Sequence, residues 1–224
     1  MNRHLQAARQ TVAQLFPSQP SRSKTVSALI LLSTSCLLWG AAELSSRPQQ
    51  VGARETDQAN VAAATLWSGA SFPVENFQAY TSPFGYRSDP YGGNRRFHYG
   101  LDMAAPSGSY IRNWWSGRVV EVSDSSSCGT SVIVQSGEWR HIYCHMQGHV
   151  VNEGGRPTMV DTNGGIRIRE GQDIASGARI GRVGMTGRTT GPHLHWGLQY
   201  QSSWVDPALV LQAMYDSQRI SSRQ

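Results

Sequence analysis

Lysine is nearly absent from this chain of 224 residues, and its single lysine, Lys24, lies close to the N-terminus. The net charge of +5 and the pI near 9.4 would be compatible with an anionic partner. However, four of the 20 basic residues precede position 25, where there is no acid, so 16 basic residues oppose 15 acidic ones in the remainder. Because no basic stripe is left, the sequence argues against a DNA or RNA partner.

Charge is missing altogether from residues 25–42, which follow a basic leader. A basic segment followed by an apolar run is the order of a secretory signal peptide or signal anchor. The run reaches the ~20 residues that span a bilayer only if it extends through Leu44, and its small residues would allow cleavage after Ala42. We therefore expect export to the periplasm or cell envelope, with membrane contact through residues 25–44 if the leader is retained.

Cysteine is also scarce. Of the 3 cysteines, Cys36 lies in the apolar run, which leaves Cys128 and Cys144 in the rest of the chain. A bridge between these two would close a loop of ~16 residues and contribute ~3 kcal/mol to stability in the chain-entropy model. It would also fit an oxidising compartment. We favour this disulfide over free thiols, and strand alternation is expected to turn the Cys144 sulfur away from the face that carries His145.

The chain has no HExxH motif, which excludes the usual helix-borne glutamate base of zinc peptidases. It has instead a His-Leu-His triplet within TTGPHLHWG, residues 189–197. Alternate side chains of an extended strand share a face, so His193 and His195 should project together while Leu194 points into the protein. The pair fits two metal ligands, one ligand beside a proton-transfer group, or a solvated strand face.

A second motif, FHYGLD at residues 97–102, places His98 and Asp102 four positions apart. This separation puts both on one face, and Gly100 favours an extended or loop conformation over a helix. With one histidine of the triplet they would form three ligands and leave a fourth position for water, as in catalytic zinc sites. The alternative is a hydrogen-bonded pair that pins a loop.

A third cluster, RHIYCHM at residues 140–146, is rich in β-branched and aromatic residues. It predicts a hairpin strand that ends near His145. Alternation places His141, Tyr143 and His145 on one face. We expect His141 to be a partly solvated strand histidine rather than a ligand.

The motifs HYGLD, YCHM and GPHLHWG, preceded by TSPFGYR and RRF, together resemble the LytM/lysostaphin-type M23 zinc metallopeptidases of bacterial cell walls. The resemblance runs from about residue 80 to residue 210. It implies a mainly β fold, with an antiparallel β-sheet LytM/lysostaphin-like peptidase domain. Carried over residue by residue, it implies that Zn²⁺ is bound by His98, Asp102 and His195, and that His145 and His193 are catalytic.

The activity that the resemblance implies is hydrolysis of peptide bonds in peptidoglycan cross-links. Zinc would lower the pKa of a water ligand toward about 7 and polarise the scissile carbonyl. Either His145 or His193 would accept the water proton, and the other would stabilise the oxyanion or protonate the leaving amine. Two alternatives stay open: a non-catalytic peptidoglycan-binding or hydrolase-activating module of the same fold, and a zinc peptidase acting on secreted proteins.

Two departures from the family pattern concern the surroundings of this site. Cys144 stands where the family usually has a small residue before the histidine, and residues 147–170 are longer than the expected link. Glycine pairs and Pro157 predict that this extra segment is a loop or small hairpin beside the cleft, where it would affect specificity. The pair Arg95 and Arg96 is either a solvated loop or a contact for substrate carboxylates.

The overall organisation follows from these segments. Short β-rich runs separated by glycine and serine turns predict an antiparallel β domain, and residues 207–219 have a helical pattern. Trp114 and Trp115 are expected on opposite sides of a strand. The predicted parts are a leader with a hydrophobic helix (1–44), a linker (45–71), the peptidase domain (72–210) and a C-terminal tail (211–224). The oligomeric state is left open.

Overall fold

The computed structural model describes residues 67–222. The predicted leader, its hydrophobic helix and most of the predicted linker lie outside the described residues. Within residues 67–222, no helix combines the length and the apolar character needed to cross a bilayer.

The described part of the chain contains fifteen β-strands, one α-helix and a short 3-10 helix at Thr162–Gly164. The strands are β1 (Ala79–Ser82), β2 (Gly85–Ser88), β3 (Arg95–His98), β4 (Leu101–Ala104), β5 (Tyr110–Arg112), β6 (Gly117–Ser123), β7 (Ser131–Ser136), β8 (Trp139–Cys144), β9 (His149–Glu153), β10 (Arg156–Asp161), β11 (Ile166–Arg169), β12 (Asp173–Ile174), β13 (Arg179–Arg182), β14 (His193–Tyr200) and β15 (Ser203–Val205). The helix is α1 (Pro207–Ser221).

An eight-stranded antiparallel sheet organises the fold. Its strand order is β1-β4-β14-β8-β7-β6-β12, and β15 pairs with the C-terminal part of β14. Three smaller antiparallel sheets consist of β9–β11, of β5 with β13 and of β2 with β3. The predicted mainly β, antiparallel architecture is therefore confirmed.

Strand β14 lies inside the main sheet, between β4 and β8. Its sequence HLHWGLQY alternates, so the side chains of Leu194, Trp196 and Leu198 are completely buried on one face. His193 and His195 lie on the opposite face and stay partly exposed. The predicted division of the His-Leu-His triplet between a core face and an outer face is confirmed.

Tryptophan packing fills the centre of the core. Trp114 is buried and its ring contacts those of Trp67, Trp139 and Trp196. The expectation that Trp114 and Trp115 point to opposite sides of a strand is wrong. Both residues lie in the bend between β5 and β6, and both rings contact Trp67. A bend does not impose the strict alternation of a strand.

The two ends of the described chain pack together. The core begins at buried Trp67, five residues before the expected domain boundary at residue 72. Helix α1 begins where the Asp206 carboxylate accepts a hydrogen bond from Ala208 N, and it buries Val210, Leu211, Met214 and Ser217. The Gln218 side chain donates to the carbonyl of Ala70 at 2.8 Å. Both termini of the described region are thus part of one packed unit, and the helix predicted at residues 207–219 is confirmed.

Residues 147–170 form the three-stranded sheet β9–β11, which packs against β6 and β13. It contributes the buried side chains of Met159, Ile166 and Ile168 to the core. Two hydrogen bonds of 2.7 Å join Arg182 of β13 to the Asp161 carboxylate at the end of β10. The segment is therefore a structural layer, and the prediction of a loop or small hairpin beside the cleft is wrong.

His141 on β8 is completely buried, with its ring 4.9 Å from that of Trp114. The expectation of a partly solvated histidine is wrong, because neighbouring strands cover β8 on both sides and its inner face lies on the core. Neither ring nitrogen has a hydrogen-bond partner among the described residues. Burial lowers the pKa of His141 to about 3, so the imidazole is neutral in the folded protein.

Buried His141 should make the fold sensitive to acid. The unfolded chain binds a proton at this residue near pH 6.5, whereas the folded chain does so near pH 3, so the free energy of unfolding should fall as the pH drops below 6.5. This contribution is at most about 1.4 kcal/mol per pH unit. Replacing His141 with leucine should make the decline between pH 6.5 and pH 4.5 shallower in denaturant titrations. Exposed His149→Leu serves as the control, and equal slopes in wild type and His141→Leu would contradict the account.

Candidate metal centre and active site

The candidate site is a cleft on the outer face of the main sheet. Its walls come from the β2–β3 hairpin, from β4, from the end of β8 and from the loop that precedes β14. It is lined by all five residues that were predicted to bind zinc or to be catalytic: His98, Asp102, His145, His193 and His195. No residue of the segment 147–170 does.

Strand register and a turn bring His98, Asp102 and His195 together. His195 of β14 lies directly opposite Asp102 of β4, and side chains of directly opposed residues share a face. His98 is the last residue of β3, and the two residues after it turn the chain into β4. His98 and Asp102 therefore lie on two strands joined by a turn, and not on the same strand.

Three side-chain atoms converge at this point. Asp102 Oδ1 lies 3.1 Å from His98 Nε2 and 2.9 Å from His195 Nδ1, and the two nitrogens are 2.9 Å apart. Zinc–ligand bonds of about 2.0–2.2 Å in tetrahedral geometry would separate neighbouring ligand atoms by about 3.3–3.6 Å, so the three atoms would move apart by a few tenths of an ångström around an ion. Two imidazole nitrogens and one carboxylate oxygen in this triangle could hold a metal ion.

Hydrogen bonds and packing orient the two histidines of this triangle. His98 Nδ1 donates to the carbonyl of Pro83 at 2.8 Å, which leaves Nε2 as the nitrogen that faces Asp102. The far edge of the His195 ring lies against Gly100, where a Cβ atom would come within 2.6 Å of His195 Nε2 and Cε1. Gly100 is thus required by the close approach of this ring.

The remaining two histidines face each other across the same space, with ring centroids 4.9 Å apart. His145 Nδ1 donates to the carbonyl of Thr186 at 2.9 Å, and His193 Nδ1 donates to the carbonyl of Gly191 at 2.9 Å. In each histidine Nδ1 is therefore engaged by the backbone, and Nε2 is the nitrogen left for other contacts. His193 Nε2 lies 3.5 Å from Asp102 Oδ1, which places it next to the triangle without making it a part of it.

The protonation states fit metal binding and proton transfer. Burial tends to raise the pKa of Asp102, but hydrogen bonds from His195 and His98 outweigh it and hold the pKa well below its usual range. Burial lowers the pKa of His145 to about 4 and also lowers the pKa of His195. At neutral pH the site therefore holds an ionised carboxylate, while His145 and His195 are neutral imidazoles.

The predicted disulfide between Cys128 and Cys144 is present, and both cysteines line the cleft. The expectation that the Cys144 sulfur points away from the metal face is wrong. Cys144 lies opposite His195 in the β8–β14 pairing and so shares its face. His145 reaches the cleft differently, because its φ of 60° ends the strand and breaks the alternation. The backbone N–H of His145 donates to the carbonyl of Cys128 at 2.8 Å.

Several cleft residues were not singled out from the sequence, notably Arg87, Asp89 and Arg188. Of the predicted arginine pair, Arg96 lines the cleft and Arg95 does not. The FGYR and GRTTG stretches beside the histidine motifs carry Arg87 and Arg188 and could have indicated them. The groups that orient His98 and His145 are the backbone carbonyls of Pro83 and Thr186, and no residue type in the sequence indicates such a contact.

Comparison with protein families identifies the domain. The model described as peptidase family M23 matches residues 96–159 and 155–207, which together span half of the chain. The chain belongs to peptidase family M23. The converging His98, Asp102 and His195 and the flanking His145 and His193 all lie within the matched residues of this M23 domain.

Individual relatives match the M23 domain over part of their length. The DD-carboxypeptidase/endopeptidase Mpg of Neisseria meningitidis is 30% identical over 131 residues, which cover 58% of this chain and 26% of Mpg. The peptidoglycan DD-endopeptidase ShyA of Vibrio cholerae is 32% identical over 102 residues, 45% of this chain and 20% of ShyA. The lysostaphin catalytic domain from Staphylococcus simulans is 26% identical, with a TM-score of 0.46, and the match covers 59% of this chain and 92% of that domain. The chain thus spans about a quarter or less of Mpg and ShyA.

Gly100 offers a test of the metal centre without changing any ligand. A methyl group at this position would collide with the His195 ring and with the carbonyl of Trp196 at 2.8 Å, so the ring must move. Gly100→Ala should therefore lower the affinity for Zn²⁺ by about tenfold or more, measured by competition with a chromophoric chelator. Gly69→Ala is the control, because a Cβ there meets nothing within 4 Å. Unchanged affinity in Gly100→Ala would contradict the packing described.

Proposed function

We propose that this chain is a zinc-dependent endopeptidase that hydrolyses peptide bonds in peptidoglycan cross-links of the bacterial cell envelope. The observation that carries this proposal is the combination, in one cleft, of three residues that could hold a metal ion with two further histidines whose Nδ1 atoms are held by backbone carbonyls. The names of Mpg and ShyA, which describe endopeptidases, support the reaction and the substrate class.

In this proposal His98, Asp102 and His195 hold the zinc ion. Their two nitrogen donors and one oxygen donor form a set typical of catalytic zinc, in which three protein ligands leave one position open. When bound, zinc supplies a Lewis acid that activates water and polarises the scissile carbonyl. Asp102 compensates part of the charge of the ion because its carboxyl group stays ionised.

His145 and His193 move protons in this proposal. Each imidazole is held by a backbone carbonyl at Nδ1, so its Nε2 faces the cleft in a fixed orientation. One of the two accepts the proton of the attacking water, and the other donates a hydrogen bond to the oxyanion or a proton to the leaving amine. The arrangement dispenses with the glutamate base of HExxH enzymes, which this chain lacks.

We also propose that the enzyme is exported and works in the periplasm or cell envelope. The disulfide Cys128–Cys144 supports this location, since disulfides persist in oxidising compartments. The basic and apolar leader at residues 1–44, followed by a linker, would provide the route.

Digestion of purified peptidoglycan by the full chain tests the proposed activity. Zinc-loaded protein should release fragments in which cross-linked dimers are cut to monomers, as identified by mass spectrometry, and a chelator should stop the release. Binding to intact peptidoglycan without any cleavage, with zinc supplied, would instead indicate a binding module. Cleavage that persists after complete removal of metal would contradict the zinc dependence.

Alanine substitutions should separate the ligands from the proton-transfer groups. His145→Ala and His193→Ala should keep one zinc per chain but lower turnover by about 10²–10⁴-fold. Substitution of any residue of the triangle, His98, Asp102 or His195, should remove the metal as well. Metal analysis after gel filtration measures the zinc content, and exposed His149→Ala should retain both zinc and activity. Equal zinc loss in all five site variants would disprove the division of roles.

A further inference from the structure

The cleft contains more positive than negative side chains before any metal is added. Three arginines line it, Arg87, Arg96 and Arg188, against two aspartates, Asp89 and Asp102. Asp102 belongs to the metal-binding triangle. Asp89 is shared by two guanidinium groups, with Arg188 Nη2 at 3.0 Å and Arg96 Nη1 at 3.8 Å. The group of Asp89, Arg96 and Arg188 therefore carries one positive charge in excess.

The side chain of Arg188 is held in place, but it has more N–H donors than it has hydrogen bonds to the described residues. Its Nη2 donates to both carboxylate oxygens of Asp89 at 3.0 Å, and its guanidinium carbon lies 4.4 Å from the centre of the Tyr91 ring. Among the described residues, the side chain has hydrogen bonds to Asp89 alone, although a guanidinium has five N–H donors. The side chain lines the cleft and is 40% exposed.

The backbone of Arg188 is fixed to the same framework as the two proposed catalytic histidines. Its N–H donates to the carbonyl of Ser127 at 2.8 Å, next to the disulfide. Two residues before Arg188, the carbonyl of Thr186 orients His145, and the Thr189 hydroxyl lies 3.3 Å from His193 Nδ1. Arg188 thus has a defined position relative to the site where the peptide would be cut.

We propose that Arg188 is a specificity residue that binds a free carboxylate of the peptide substrate, on a residue next to the scissile amide. This inference rests on the proposed peptidase function and names the chemical class of its substrate, an acidic peptide. The planar guanidinium fork matches a carboxylate in geometry, and contacts with Asp89 and Tyr91 fix its orientation beforehand. Arg96 supplies the second positive charge beside it, while a neutral carboxamide, which has no net charge, forms a weaker hydrogen bond with either guanidinium.

The experiment compares two cross-linked peptides that differ at one position, which is a carboxylate in one and a carboxamide in the other. The zinc-loaded full chain should have a kcat/KM about tenfold higher for the carboxylate peptide. Arg188→Gln should abolish this preference by slowing cleavage of the carboxylate peptide much more than that of the carboxamide peptide, and Arg188→Lys should retain part of it. Arg95→Gln removes the same charge from the neighbouring hairpin outside the cleft and should leave the preference intact.

A second variant separates recognition of substrate from the ion pair. Asp89→Asn removes the charge of the salt bridge but keeps the guanidinium, its contact with Tyr91 and an amide oxygen that can accept from Nη2, so it should retain the preference for carboxylate. If Asp89→Asn loses the preference as completely as Arg188→Gln, or if Arg188→Gln keeps it, the proposal is overturned. Melting temperatures of both variants identify any loss of folding.

Binding measurements make the test independent of turnover. In a His145→Ala background, fluorescence anisotropy with labelled peptides should show about tenfold weaker binding of the carboxylate peptide after Arg188→Gln, and a much smaller change for the carboxamide peptide. Identical affinities would overturn the assignment of Arg188. If wild-type protein cleaves neither peptide nor peptidoglycan, the proposed function fails, and the binding data alone still decide whether Arg188 recognises carboxylate.

Discussion

The pairing register of β14 with its neighbours β4 and β8 determines which side chains meet in the cleft. It places His195 opposite Asp102 on one side and opposite Cys144 on the other. A slip by one residue would send both histidines of the strand into the core and bring Leu194 and Trp196 to the cleft. The complete burial of Leu194, Trp196 and Leu198 makes such a slip costly, so the hydrophobic effect in the core fixes the geometry of the polar face.

Around this strand, the orienting contacts come mainly from the backbone. Carbonyl groups of Pro83, Thr186 and Gly191 each accept a hydrogen bond from the Nδ1 atom of one histidine. The loops that carry these carbonyls are tied to the domain, for example by the bond from Thr130 N to the Thr186 hydroxyl. Each imidazole is therefore committed to one tautomer and one orientation before any metal or substrate binds.

The elements that could be predicted from the sequence were those governed by local alternation. The split between Leu194 and its two flanking histidines, the strand ending near His145 and the helix after Asp206 all follow from short-range rules. The side of the sheet on which Cys144 lies did not follow, because the left-handed backbone of His145 interrupts the count. Strand alternation alone would have put these two neighbours on opposite faces.

Other features depend on contacts distant in sequence. His141 is buried because β7, β14 and Trp114 surround it, and nothing in RHIYCHM distinguishes it from a solvated histidine. Residues 147–170 carry glycine pairs typical of loops, yet their apolar side chains complete the core against β6. Arg188 and Asp89 are 99 residues apart, so their pairing became visible only in the folded chain.

The two faces of the main sheet thus have different roles. The buried face of the main sheet, with its tryptophans and aliphatic residues, maintains the register, and the outer face uses that register to bring five titratable side chains into one cleft. We propose that three of these residues bind the metal and that the other two do not. A crystal structure of the zinc-loaded protein, with anomalous data collected at the zinc edge, would distinguish the two groups. One zinc peak is expected within bonding distance of His98 Nε2, Asp102 Oδ1 and His195 Nδ1. A peak bonded to His145 or His193, or one located outside this triangle, would contradict it.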